Sequence, residues 1–248
     1  MSSFSDEERQ RYARHMLLKE IGGPGQQRLR AATVAIVGAG GLGAPAALYL
    51  AAAGVGTLRL IDDDFVSFDN LQRQIVFKSE DVGAGKVERA AAALNALNPN
   101  VSIDPRHDRL TEANARALLQ GADVILDGTD DFTTRFAVNA AARVLNVPLV
   151  SGAVGRWDGQ VAVFAPGGPC YRCLVPDAPP DAETCERVGV VGALTGVIGS
   201  MMALEAIKII THAGEPLLGR LLIFDGLSAQ ARVVTLTRDP ACPVCKYE

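Results

Sequence analysis

Apolar residues along the chain fall into short runs that alternate with longer, helix-periodic stretches. Thr33–Val37 is a five-residue apolar run. Gly38-Ala39-Gly40-Gly41-Leu42-Gly43 follows it, and an Ala- and Leu-rich stretch then continues to about residue 53. That order predicts strand, glycine-rich turn and helix. Gly54-Val55-Gly56 leads into a second strand, Thr57–Ile61, which ends in Asp62-Asp63-Asp64. The same reasoning predicts helices over 86–96, 111–119 and 133–145, and strands over 101–105, 123–126 and 148–151. Strands that alternate with helices argue for a mainly parallel sheet covered on both faces. After Gly152 the pattern changes: 160–164, 220–224 and 231–236 read as further strands, with a long apolar helix over 192–210 between them. At the front, 5–19 reads as one helix opened by a Ser5/Glu8 capping box and broken by Gly22-Gly23-Pro24-Gly25. A Pro-rich, acidic stretch over 176–181 reads as a loop.

The chain is thus expected to be one α/β domain over 1–248. N-terminal helices occupy 1–30, a nucleotide-binding core 31–152, and a zinc-bearing, antiparallel part 153–248. Its 248 residues, 48% of them apolar, are enough for a sizeable core. The net charge of -4 gives no general footprint for nucleic acid or an anionic membrane. The segment 192–210 is long enough to span a bilayer, but Glu205 and Lys208 argue for a buried or subunit-interface helix. The charged start does not read as a secretion signal, so the expected compartment is the cytoplasm.

The glycine-rich turn lies between a strand and a helix, where backbone N–H groups and the helix dipole favour phosphate. Gly38, Gly40, Gly41 and Gly43 let the backbone approach it, and Asp62 closes the next strand where a ribose would lie. These residues alone fit NAD as well as ATP. Cations in neighbouring loops tilt the balance towards ATP. Arg73 suits a phosphate, Asn70 a nucleotide group, and Lys86 stands at a helix start, where the dipole disfavours a bare cation. Asp130, beyond the end of a strand, is placed to hold Mg²⁺. Attack by a carboxylate on ATP needs such cations more than a base, since the carboxylate is already ionised at neutral pH.

Four of the five cysteines form Cys170-Tyr171-Arg172-Cys173 and Cys242-Pro243-Val244-Cys245. Two Cys-x-x-Cys pairs read as a closed, structural Zn²⁺ site. Cys185, between acidic neighbours and Arg187, stands apart.

Together, the glycine-rich turn, Asp62, Asn70-Leu71-Gln72-Arg73-Gln74, Lys86, Thr129-Asp130 and the cysteine pairs closely resemble the HesA/MoeB/ThiF family, bacterial relatives of ubiquitin-activating enzymes. The resemblance runs from Tyr12 to Cys245. It implies a homodimer that adenylylates the terminal glycine of a small ubiquitin-like sulfur carrier and releases pyrophosphate. By the same resemblance Asp62 holds the ribose, and Arg14, Asn70 and Lys86 contact the phosphates. Asp130 would be the metal-linked acid, with Asp69 and Asp131 completing the nucleotide-binding set. Arg73 would reach the ATP of the neighbouring subunit, and Cys185 would take a covalent role in some members. Asp131 departs from the Asn usual at that position. The carrier implied is the molybdopterin synthase small subunit, with the thiamine carrier as alternative. A separate sulfurtransferase or cysteine desulfurase would then supply the sulfur, because the chain ends three residues after Cys245. The competing readings are an NAD-dependent oxidoreductase, which leaves Arg73, Lys86 and the cysteine pairs without a task, and a non-catalytic scaffold.

Overall fold

A computed structural model describes residues 3–179 and 189–245. Cys185 lies outside the described residues.

The chain opens with α1 (Asp6–Arg11), α2 (Ala13–Met16) and α3 (Gly22–Ala31). The capping box is present: Glu8 N donates to Ser5 Oγ, and Ser5 N donates to the Glu8 carboxylate at 2.7 Å. The expected single helix over 5–19 is instead two short ones, because Tyr12 leaves helical geometry with φ −97° and ψ 8°. Gly22-Gly23-Pro24-Gly25 does not only break a helix, since it forms the first turn of α3. Proline is tolerated there because first-turn N–H groups have no intrahelical partner.

The nucleotide-binding-type core follows as β1 (Thr33–Val37), α4 (Gly43–Ala53), β2 (Thr57–Ile61), α5 (Lys86–Leu97), β3 (Ser102–Arg106), α6 (Ala115–Leu119), β4 (Val124–Asp127), α7 (Phe132–Leu145) and β5 (Leu149–Gly155). Then come β6 (Asp158–Phe164), α8 (Tyr171–Leu174), α9 (Gly192–Thr211), β7 (Arg220–Asp225) and β8 (Gln230–Thr235). Among the described residues the strands form one eight-stranded sheet in the order β3-β2-β1-β4-β5-β6-β7-β8. Pairing is parallel from β3 to β5 and antiparallel from β5 to β8.

Side chains of β1 alternate between two apolar layers. Val34 and Ile36 join one core with Leu50 of α4, Leu94 of α5 and Met202 of α9. Ala35 and Val37 join the other with Leu119 of α6 and Val138 of α7. This period-two division places helices on both faces.

Helix α9 is long and apolar enough to cross a membrane by length and composition. Here it is a core helix, with Leu194, Ile198, Met202 and Ala206 buried. Its two charges answer one another: Lys208 Nζ lies 2.5 Å from Glu205 Oε1, while Glu205 Oε2 accepts from Leu217 N at 2.7 Å.

A candidate nucleotide cleft and a four-cysteine cluster

The chain leaves β1 for β2 on one side, and later returns to place β4 on β1's other side. Ligands of such sheets bind where the strand order reverses, beyond the carboxyl ends of the strands. A cleft of about 500 Å³ opens there.

The glycine-rich turn forms its floor. Gly38 has φ +85°, a left-handed conformation, and its N–H donates to Ile61 O at 2.9 Å. A Cβ on Gly43 would lie 1.8 Å from Gly38 O, so that position admits only glycine without opening the turn. Asp62 faces the turn from the end of β2. Its Oδ2 accepts from Ala39 N at 2.7 Å and its Oδ1 from Asp64 N at 2.9 Å. Burial pushes the Asp62 carboxyl up, against the opposing pull of Lys86 and these two N–H groups.

Cations enter from other loops. Lys86, the first residue of α5, is buried, and its Nζ meets Asp64 Oδ2 at 2.7 Å. The misfit of a lysine at a helix start is therefore met by an exposed carboxylate. Arg73 ends a 3-10 turn over Phe68–Gln72, with Nη1 donating to Asp69 O at 3.1 Å. It lines the cleft of its own chain, beside Asn70 and Gln74. Gln74 Oε1 is buried there with no partner among the described residues. An unpaired buried acceptor in a cleft wall leaves a place for a ligand donor.

Asp130 and Asp131 line the cleft after β4. Asp131 caps α7, accepting from Thr134 N at 3.1 Å. The departure from Asn therefore has a local explanation, because Asp and Asn are equally good N-caps and an anion also suits the helix dipole.

The structure thus gathers Gly38, Gly40, Gly41, Asp62, Asn70, Arg73, Lys86, Asp130 and Asp131 around one cleft. Gly43 supports the turn from within α4. Asp69 is exposed and bonds Ser67 Oγ, next to the cleft rather than in its lining. Arg14 stands apart. It is exposed on α2, and the neighbouring Tyr12 packs on Gly54 at the far end of α4. That end is about 16 Å from the glycine-rich turn, at 1.5 Å per helical residue. Sequence reasoning missed Arg135, Tyr171 and Asp64, which also line the cleft. Arg135 sits inside a helix and reads as a surface charge, and Tyr171 is masked by its cysteine neighbours.

The four cysteines of the two pairs converge, with Sγ atoms all within 4.8 Å of one another. Cys170–Cys242 measures 3.6 Å, Cys173–Cys245 3.4 Å and Cys170–Cys173 4.0 Å between sulfurs. A tetrahedron with metal–sulfur bonds of about 2.3 Å has edges of about 3.8 Å. The cluster has the size to hold a metal ion. Burial pushes the Cys170 thiol up to about 12. Burial acts on Cys242 too, but the backbone N–H groups of Cys245 and Val244 outweigh it and bring that thiol down to about 7. One sulfur of the set is thereby readily ionised.

A glycine-rich turn at the switch point, an acid at the next strand end and cations from separate loops define a nucleotide-binding α/β protein. The ThiF family model matches residues 12–244, and the chain belongs to the ThiF family. It is 46% identical over 237 residues to a SAMP-activating enzyme E1 of Haloferax volcanii, spanning 95% of this chain and 88% of that protein. It is also 46% identical over 253 residues to a sulfur carrier protein adenylyltransferase of Thermus thermophilus, spanning 99% and 93%. Among solved structures, E. coli MccB with AMPCPP and MccA superposes with a TM-score of 0.81 at 26% identity, covering 95% of this chain and 74% of that one.

Proposed function

We propose that the chain uses ATP to adenylylate the C-terminal carboxylate of a small ubiquitin-like sulfur-carrier protein. The observation that carries this reading is the convergence of Lys86 and Arg73 on the glycine-rich turn and Asp62, in a chain whose full-length relatives are named sulfur carrier protein adenylyltransferase and SAMP-activating enzyme. The dehydrogenase alternative uses only the turn and Asp62.

In this reading Asp62 accepts from the ribose hydroxyls, and the turn with Asn70 and Lys86 cradles the phosphates. A carboxylate oxygen of the carrier attacks the α-phosphorus, the bond from that phosphorus to the bridging oxygen breaks, and pyrophosphate leaves with the electron pair. No base is required. Lys86 and Arg73 offset the charge that gathers on the leaving group. Asp130 is the residue to hold Mg²⁺, which would supply further neutralisation there. Arg73 acts on the cleft it already lines, whereas Arg14, exposed on α2 and outside that lining, acts from a second copy. The protein therefore works as a homodimer. Exposed Tyr49 and Leu204, on the packed pair α4 and α9, offer apolar surface for that contact. The four cysteines hold Zn²⁺, which ties the end of the chain to α8. Cys185 takes a covalent role with the carrier or its sulfur.

Among carriers, the molybdopterin synthase small subunit is the first to test and the thiamine carrier the second. A separate sulfurtransferase or cysteine desulfurase then delivers sulfur to the activated carrier. The decisive experiment is ATP–pyrophosphate exchange with each purified carrier. Exchange that requires a carrier with an intact Gly-Gly end supports the reading. Absence of exchange with every carrier, in protein that holds its metal, refutes it. Metal analysis of freshly purified protein checks the zinc, with one ion per chain expected.

A further inference from the structure

Helix α8 lies between the metal-type cluster and the cleft. Cys170 is its N-cap and Tyr171 its first residue, so a sulfur and a phenol share one rigid turn. Asn139 of α7, fully buried, grips that turn. Its Oδ1 accepts from Tyr171 N at 2.8 Å, and its Nδ2 donates to Cys170 Sγ at 3.7 Å. One helical turn back on the same face of α7 stands Arg135, also buried. Its guanidinium lies 5.8 Å from the centre of the Tyr171 ring. Nη2 donates to Thr129 O, and to Gly152 O at 2.8 Å. Thr129 is fixed on its other side, where its N–H and Oγ1 both donate to Asp127 Oδ1, at 3.0 and 2.7 Å. The next residue is Asp130.

A buried arginine is a costly way to fill a wall, since an apolar side chain of similar volume avoids the desolvation. What Arg135 adds is a fixed set of donors, aimed at the backbone of the loop that precedes Asp130. Tyr171, Arg135, Thr129 and Asp130 all line the cleft.

We propose that Tyr171 and Arg135 are positioning residues that couple the four-cysteine cluster to the Asp130 loop, so that metal at the cysteines orders this wall of the cleft. The consequence for ATP rests on the nucleotide reading above; the coupling itself does not.

Amide hydrogen exchange of the full-length protein tests it, with zinc-loaded protein compared with protein stripped by a chelator under reducing conditions. In the parent, stripping raises exchange of residues 129–131 about tenfold while β1 stays protected. In Arg135→Gln that loop already exchanges fast with zinc in place, and stripping adds less than twofold. Arg135→Lys, which keeps a cation and a donor, restores most of the parent's response. A stripped parent with unchanged exchange at 129–131, or with a uniform rise that includes β1, overturns the proposal without recourse to any variant. So does an equal response to stripping in the parent and Arg135→Gln. ATP affinity, read by calorimetry, should weaken about tenfold on stripping the parent. A loop response in protein that binds no ATP even when loaded supports the coupling and refutes the nucleotide reading, so the two failures are told apart.

Discussion

Lys86 Nζ sits 2.7 Å from Asp64 Oδ2 inside the cleft, so a buried cation is held on an exposed carboxylate. The lysine is desolvated and oriented before a polyanion arrives. Only one partner must be exchanged for a phosphate oxygen, and Asp64 returns to water without a burial penalty. Lys86→Met should therefore slow carrier-dependent pyrophosphate exchange about 100-fold, the scale of one lost charge-stabilising group. Asp64→Asn should slow it much less, because it removes an aid to positioning and leaves the cation. Exchange kinetics on both variants check the order, and a larger loss for Asp64→Asn would refute it.

Gly43→Ala should be among the most damaging single-methyl changes in the chain. Its Cβ would lie 1.8 Å from Gly38 O, far inside contact distance, and that oxygen belongs to the backbone of the same turn. The turn must open. A loss of about 3 kcal/mol is expected for an overpacked, inflexible site, or a melting temperature lower by about 6–12 °C in a chain of this size. Thermal unfolding checks the stability, and calorimetry with ATP checks the accompanying loss of binding.

That glycine was legible in the sequence because its constraint is local, with strand, turn and helix following one another within a dozen residues. The parallel sheet, the Asp62 position and the cysteine pairs were legible for the same reason. What was hidden is long-range. Arg135 reaches Gly152 O across 17 residues, and Tyr171 belongs to the cleft only because α8 folds back on α7. Nothing in a helical arginine or a tyrosine between cysteines announces those contacts. The break at Tyr12 was hidden too, because its ring is drawn against Gly54 and Asn98, far along the chain. Tertiary packing there overrides the helical pattern of 5–19.

The acid side of the stability profile should depend on Asp81. This buried carboxylate accepts from Lys78 N at 2.8 Å and from Arg89 Nε at 2.5 Å, and the Lys78 N–H first, then Arg89, hold its carboxyl below the ordinary 3.8. A carboxyl depressed in the folded state stabilises it above the unfolded value, and that contribution is lost as pH falls through the lower folded value. Asp81→Asn should cost about 2 kcal/mol at neutral pH, the scale of hydrogen bonds to a charged group. The gap from the parent should close as pH is lowered from the ordinary 3.8 through the lower folded value. Urea unfolding across that range checks it, and a gap of constant size would show that the charge is not the source.

The two arginines make opposite predictions in mixed dimers. Arg73 lines the cleft of its own chain, while Arg14 is exposed on α2, whose neighbouring Tyr12 packs on Gly54, about 16 Å along α4 from the glycine-rich turn. Arg14→Ala, Arg73→Ala and Lys86→Met should each be nearly inactive as homodimers. When Arg14→Ala and Lys86→Met subunits are mixed and re-paired at random, about half the dimers are mixed. In each of these, one cleft combines an intact Lys86 with the partner copy's intact arginine at position 14, and the other cleft has neither. About a quarter of parental exchange activity should return. Mixing Arg73→Ala with Lys86→Met should restore nothing, because every cleft then lacks a residue of its own chain. Rescue in the second mixture would place Arg73 across the dimer interface, and silence in the first would remove Arg14 from the neighbouring cleft.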